Sequence, residues 1–283
     1  MAPLGYSLDI VCQPLNRHRW PVRRMTKLLD SPFAVLVIAL LAQWCAAYAG
    51  DLARRKWRPL GKVEREDFGP VVAATLTLLA LIIGFSFAMA VSRYDQRKNL
   101  EEAEANAIGT EFVRADLLPA ADAAKLRDLL RAYVKERIAF YDGRQSGGRD
   151  GDAAEGALQA ELWSVAARAP AAQPTPVAAL AVAGMNDVLN AQGFTRAAWW
   201  NRIPLAAWAL MGLVAIFANL LLGYSERKTG VLVLAVLPVV LSIAFFLIAD
   251  IDSPGGGVIR VAPRNLIATQ EAMAQAPSPA PQQ

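Results

Sequence analysis

Four uninterrupted apolar stretches divide the chain: residues 33–49, 71–91, 203–224 and 231–249. A bilayer core needs about 20 apolar residues at about 1.5 Å rise each, so the last three cross comfortably and the first only just. The pattern predicts four transmembrane helices. Trp44, Tyr48, Trp199, Trp200 and Tyr224 fall at or near the ends of these runs, where amphipathic rings favour the headgroup zone. The short SERKTG between the last two runs makes them an antiparallel hairpin, and Pro238 in mid-run should kink the fourth helix, a break that neighbouring helices tolerate in lipid.

Between the second and third runs the pattern changes to a helical, water-facing one. In AADAAKLRDLLRAYVKERIAFYDG the apolar positions Leu126, Leu129, Leu130, Tyr133, Val134 and Ile138 recur at helical spacing behind a start signal at Pro119, so one face of this helix must be buried. GRQSGGRDGD reads as a flexible turn, AEGALQAELWSVAARA as a further helix, PAAQPTP as a break, and VAALAVAGMNDVLNAQG as a helix leading to the third run. No strand of any length is predicted, and the fold class is an all-α integral membrane protein. Its parts are a polar leader (1–30), helices one and two (31–92), a helical aqueous block (93–202), helices three and four (203–250), and a C-terminal segment (251–283) whose Pro- and Ala-rich end should be disordered.

Composition agrees: 55% of residues are hydrophobic, 19% charged, and the mean hydropathy is +0.29, greasier than a soluble domain of this size. The formal charge of +4 and pI near 9.2 come from Lys and Arg beside the apolar runs, a topology signal and not a nucleic-acid surface. With four spans the termini share a side with the helical block, and twelve span-proximal Lys and Arg on that side face eight on the other, which makes the block cytoplasmic. If Met25 is the start, Arg17, Arg19, Arg23 and Arg24 are lost and the count is level.

Catalytic chemistry finds little support. His18, the only histidine, lies in the leader, and Cys12 and Cys45 have no metal-ligand spacing, which leaves no His-centred triad or zinc site. No carboxylate stands in mid-span, where a functional charge would be conspicuous. No metal, no cofactor and no enzymatic activity are expected.

The second run continues without Pro or Gly into the charged VSRYDQRKNL. Thr77, Leu81 and Phe85 form one stripe, Ala80, Gly84 and Ala88 a neighbouring stripe of small side chains. The small stripe permits close helix approach. The bulky one would form an apolar neck if it faced a shared axis, or pack against lipid or bundle if it did not. Glu102, Asn106, Thr110 and Arg114 repeat at the same spacing beyond. They suit the lining of an aqueous funnel that concentrates cations, or equally a solvated face held by pairs such as Glu101 with Lys98.

The segment GFSFAMAVSRYDQRKNL, with Gly84, Phe85, Ser92, Arg93, Tyr94, Asn99 and Leu100 in register, resembles the end of the second bestrophin helix. DFGPVVAATLTLLALIIGFSFAMAVSRYDQR, EEAEANAIGTEFVRADLLP and DIDSPGGGVIRV resemble the bacterial bestrophin-like family over about residues 67–266. The resemblance implies a pentameric ion channel of the bacterial inner membrane, its second helix lining a hydrophobic neck and then an aqueous cavity. By that resemblance Thr77, Leu81 and Phe85 are the neck, Thr77 departing from its apolar pattern, and the conducted ion is a small monovalent cation, which the Glu101, Glu102 and Glu104 cluster suits. The acidic calcium position of animal members falls loosely on Asp250 and Asp252, but two carboxylates are too few for calcium and a helix-end cap is the expectation. The partners expected are the lipid bilayer, small inorganic ions and further copies of the chain, with a non-conducting scaffold whose helical block docks a partner as the alternative and a membrane-embedded enzyme third.

Overall fold

The computed structural model describes residues 31–56, 62–143, 149–172, 175–225 and 231–276. The leader, the question of Met25, the end of the tail and the turn of the SERKTG hairpin lie outside them, as do residues 144–148 of the GRQSGGRDGD turn, whose last four residues already belong to a helix. Among the described residues there is no strand. The helices are α1 (Pro32–Lys56), α2 (Lys62–Arg114), a 3₁₀ turn (Ala115–Leu117), α3 (Ala120–Tyr141), α4 (Arg149–Ala172), α5 (Pro176–Trp200), α6 (Leu205–Ser225), α7 (Val231–Asp252) and α8 (Arg264–Gln275). Four helical segments are long and apolar enough to cross a membrane, in α1, α2, α5–α6 and α7. This is the all-α, four-span architecture that the apolar runs predict.

Two cores follow from the two sequence patterns. In the membrane part, Leu79 and Ala90 of α2 meet Met211 and Ala215 of α6 and Phe245 and Ile248 of α7. α1 packs along α6 and α7, and its crossing with α6 is a backbone contact. A methyl group on Gly50 would run into the Leu220 carbonyl, and one on Gly223 into that of Ala47, so each helix places a glycine where the other's main chain passes. A little deeper, Gln43 of α1 donates to Ser242 of α7 at 3.2 Å and accepts from Asn219 of α6 at 3.2 Å, a buried polar bridge among three spans.

The aqueous core joins Ile108 and Phe112 of α2 to Leu126, Leu130, Tyr133 and Val134 of α3, Leu162 and Val165 of α4, Met185 and Val188 of α5, and Leu266 of α8. The α3 residues are those that its periodicity marked, Leu129 being partly buried. Thr175 starts α5 by accepting the Ala178 N–H at 3.1 Å, with a proline at the first helical position. Trp199 stacks edge-on against Tyr141 at 5.1 Å and lies beside Phe140 at 5.0 Å. These two α3 rings hold it to the aqueous core.

Candidate functional site: the long helix and its uncovered face

α2 is a single helix of 53 residues, about 80 Å at 1.5 Å per residue. It passes from apolar run to charged segment without a break, because residues 71–114 contain no proline and just two glycines, Gly84 and Gly109. From Thr77 to Thr110 one face is uncovered by the rest of the protomer. In the apolar part Thr77, Leu81 (55% exposed), Phe85 (65%) and the small stripe Ala80, Gly84 and Ala88 are exposed, and a methyl group on Gly84 would meet nothing within 4 Å. The close approaches within this chain are made by Gly50 and Gly223, not by that stripe. Thr77 turns its hydroxyl back onto the Ala73 carbonyl at 2.9 Å.

The same face continues beyond the apolar run through Ser92, Asp95 and Asn99 to Glu102, Asn106 and Thr110, all exposed. These positions are three or four apart, the spacing of one helical stripe. Exposure of apolar residues in a span is ordinary in lipid; a face that stays uncovered for about 30 residues across both media is not explained by lipid alone. Arg114, the last of the polar row, leaves it. Its guanidinium lies against Gly184 of α5, beside Glu111, so the row ends at Thr110.

The opposite face of α2 is held by three charged residues whose partners lie far away in sequence. Arg97 is buried and donates to four backbone carbonyls: Ala198 at 3.3 Å and Asn201 at 3.4 Å at the end of α5, and Ile251 at 3.2 Å and Asp252 at 3.0 Å at the end of α7. Helix C-termini leave such carbonyls unpaired and carry partial negative charge, so one guanidinium ties two helix ends to α2 where it leaves the membrane. Asp252 accepts the Ile203 N–H at 3.2 Å, and Asp250 accepts those of Val258 at 2.7 Å and Ile259 at 2.9 Å. The acidic pair thus caps local backbone, and no group of three or more His, Cys, Asp or Glu among the described residues could hold a metal.

Glu101 and Glu104 correct the sequence reading of a three-glutamate cluster facing water. Both are buried. Glu101 pairs with the start of α8 and not with Lys98, accepting from Leu266 N at 3.0 Å and Asn265 Nδ2 at 2.6 Å, and α8 has no side-chain cap of its own. Arg131 of α3 donates to the Met273 carbonyl at 3.2 Å near the other end, so α8 has an acid at its N-terminus and a base near its C-terminus. Glu104 binds Arg137, accepts from Thr195 at 3.0 Å and, more loosely, from Tyr141. Arg137 also donates to Glu155 at 2.8 Å, which Gln192 and Arg196 approach at 3.0 Å each. Four helices meet in this network, and its two carboxylates balance two guanidiniums. Only Glu102 of the three glutamates faces out.

Glu111 sits five turns beyond the apolar run of α2, within the aqueous block. Neither of its oxygens has a hydrogen-bond partner and it is fully buried. Burial pushes its carboxyl up to about 8; Arg114 opposes the shift and Asp187 adds to it.

The bestrophin-like domain model matches residues 36–266, most of the chain. The chain belongs to the bestrophin-like family. Solved structures agree on the fold. A variant of a bacterial bestrophin homolog from Klebsiella pneumoniae superposes with a TM-score of 0.59 at 13% identity, covering 85% of this chain and 99% of that one. A second structure of that homolog gives 0.55 at 15% identity, over 86% and 98%, and a structure described only as a membrane protein gives 0.59 at 14%, over 86% and 100%. No curated protein matches in sequence. At these identities the likeness is one of bestrophin-like fold, with the chain spanning nearly the full length of its structural relatives.

Proposed function

We propose that the protein is one subunit of a homo-oligomeric ring, pentameric on family grounds, in which α2 lines a central pore for passive conduction of small ions. The observation that supports this most is the face of α2 left uncovered from Thr77 to Thr110. Around an axis, Leu81 and Phe85 would form a hydrophobic neck able to gate by dewetting, with Thr77 at its outer end. Ala80, Gly84 and Ala88 beside them would let neighbouring α2 helices approach closely. Past the neck, Asp95, Glu102, Asn106 and Thr110 would line the aqueous cavity.

The preferred ion is a monovalent cation. The carboxylates of Asp95 and Glu102 lie on the uncovered face with exposed Lys98 at its edge, while Arg97 is turned away and saturated by carbonyls, so two acids against one base give a local field that favours positive ions. The setting is a bacterial inner membrane with the helical block cytoplasmic. A non-conducting scaffold is the second reading, favoured by Val177, Leu180 and Phe194, which α5 exposes on the aqueous block. Flux from ion-loaded liposomes containing the purified oligomer separates them: Leu81→Ala and Phe85→Ala should raise or deregulate flux. An oligomer that carries no ions in any of the three forms supports the scaffold.

A further inference from the structure

Two cavities meet one short stretch of chain, residues 199–208, where α5 passes into α6. The first, about 520 Å³, is lined by Trp200, Arg202 and the backbone of Gly255 and Gly256 after α7. The second, about 580 Å³, is almost wholly apolar and opens among α1, α6 and α7, with Ile38, Leu205, Trp208 and Phe245 in its walls. Arg202 lies three residues before Leu205, and Phe245 lies two helical turns before Ser253, which lines the first cavity. Along α7 these last two lining residues are therefore separated by about 12 Å. The polar cavity is at the end of the spans nearest the aqueous block, the apolar one inside them.

The polar end is also cationic. Arg93, Arg97, Arg202 and Arg260 gather around the ends of α5 and α7 and the loop that follows, against Asp250 and Asp252. Of these, Arg202 lines the cavity itself, while Arg97 is buried behind it on backbone carbonyls. Trp200 is 75% exposed beside them, as an interfacial ring would be. At Gly212 the apolar groove is open space: a methyl group there would meet no atom within 4 Å.

We propose that this pair of cavities is a binding site for one anionic phospholipid of the block-side leaflet. Its phosphate sits at Arg202 with Trp200 at headgroup level, and one acyl chain lies in the groove past Gly212. A basic pocket between helices at the membrane surface recognises anionic headgroups, and a largely apolar, preformed cavity of this size is what a hydrophobic ligand requires. The site stands independently of whether the chain conducts.

The test uses the purified oligomer in detergent. Native mass spectrometry and thermal unfolding are followed while an anionic phospholipid, a zwitterionic phospholipid with the same chains, or inorganic phosphate is added. The anionic lipid should be retained and raise the Tm, the zwitterionic one should bind at least tenfold more weakly, and phosphate alone should do neither. Arg202→Gln should remove the headgroup preference, and Gly212→Phe should reduce retention of both lipids, with Gly212→Ala close to wild type. Equal binding of the two lipids by wild type, a full effect of phosphate alone, or undiminished retention in Gly212→Phe would each overturn the proposal. So would Gly212→Phe dissociating the oligomer without altering lipid binding, since a neighbouring copy would then cover the groove.

Discussion

Arg137 of α3 and Glu104 of α2 form an ion pair at the centre of the aqueous block, with both side chains fully buried. Through it the long helix is anchored to α3, and through the shared Glu155 to α4 and α5. The pair is also why the uncovered face of α2 is held in one orientation: Glu104 fixes the helix from behind while Glu102 and Asn106 face out.

Removing one partner of a buried pair leaves the other charge uncompensated, at a cost of about 3–5 kcal/mol. Glu104→Ala should therefore lower the unfolding free energy of the purified protein by that amount, read as a fall in its denaturation midpoint. The double substitution Glu104→Leu with Arg137→Met should recover a large part of it, because the desolvation cost of both ions is removed together. A Glu104→Ala protein as stable as wild type would mean that the network is dispensable.

Glu101 supplies the N-terminal acceptor that α8 lacks in its own sequence. Loss of a cap costs roughly 1 kcal/mol, so Glu101→Ala should raise amide hydrogen exchange in the first turn of α8 roughly fivefold while leaving α3 and α4 unchanged. Exchange that rises equally throughout the block would assign Glu101 to global stability instead.

Glu111 makes stability depend on pH. Its pKa is raised from 4.5 to about 8 in the folded protein, so the folded state holds a proton that the unfolded chain has released. The stability from this group is fully present below about pH 4.5 and is lost as pH rises through about 8. The wild-type melting temperature should fall over that window, by the equivalent of a few kcal/mol at most, and Glu111→Gln should flatten the profile. A profile identical in the two proteins would remove Glu111 as its source.

Much of the architecture was legible in the sequence, because length and apolar period determine where a helix can cross lipid and which face of an aqueous helix must be buried. The spans and the core face of α3, from Leu126 to Ile138, followed from those two rules. What spacing could not supply was the partner of each charged residue. Glu101, Glu102 and Glu104 are neighbours in sequence, but a helix turns about 100° per residue, so Glu102 cannot share a face with both of the others. Which of them met water depended on α3, α5 and α8, the last of which follows α2 by about 150 residues. Arg97 was hidden in the same way. Nothing in SRYDQRK distinguishes it from Arg93, and its role arises only where the ends of α5 and α7 converge. Gly50 and Gly223 carried a faint signal, small residues at the ends of two apolar runs away from the aqueous block, with no indication that they faced each other.

The central claim, that the uncovered face of α2 lines a conducting axis, is tested most directly by blocking flux at single engineered thiols. In a background with Cys12→Ser and Cys45→Ser, Phe85→Cys, Glu102→Cys and, as a lipid-facing control, Phe217→Cys on α6 would each be reconstituted as the oligomer and treated with a charged thiol reagent. The claim predicts that modification at Phe85→Cys and Glu102→Cys cuts ion flux at least severalfold while the control is unaffected. Modified oligomers that conduct as before at both α2 positions, or that lose flux equally at Phe217→Cys, would contradict it.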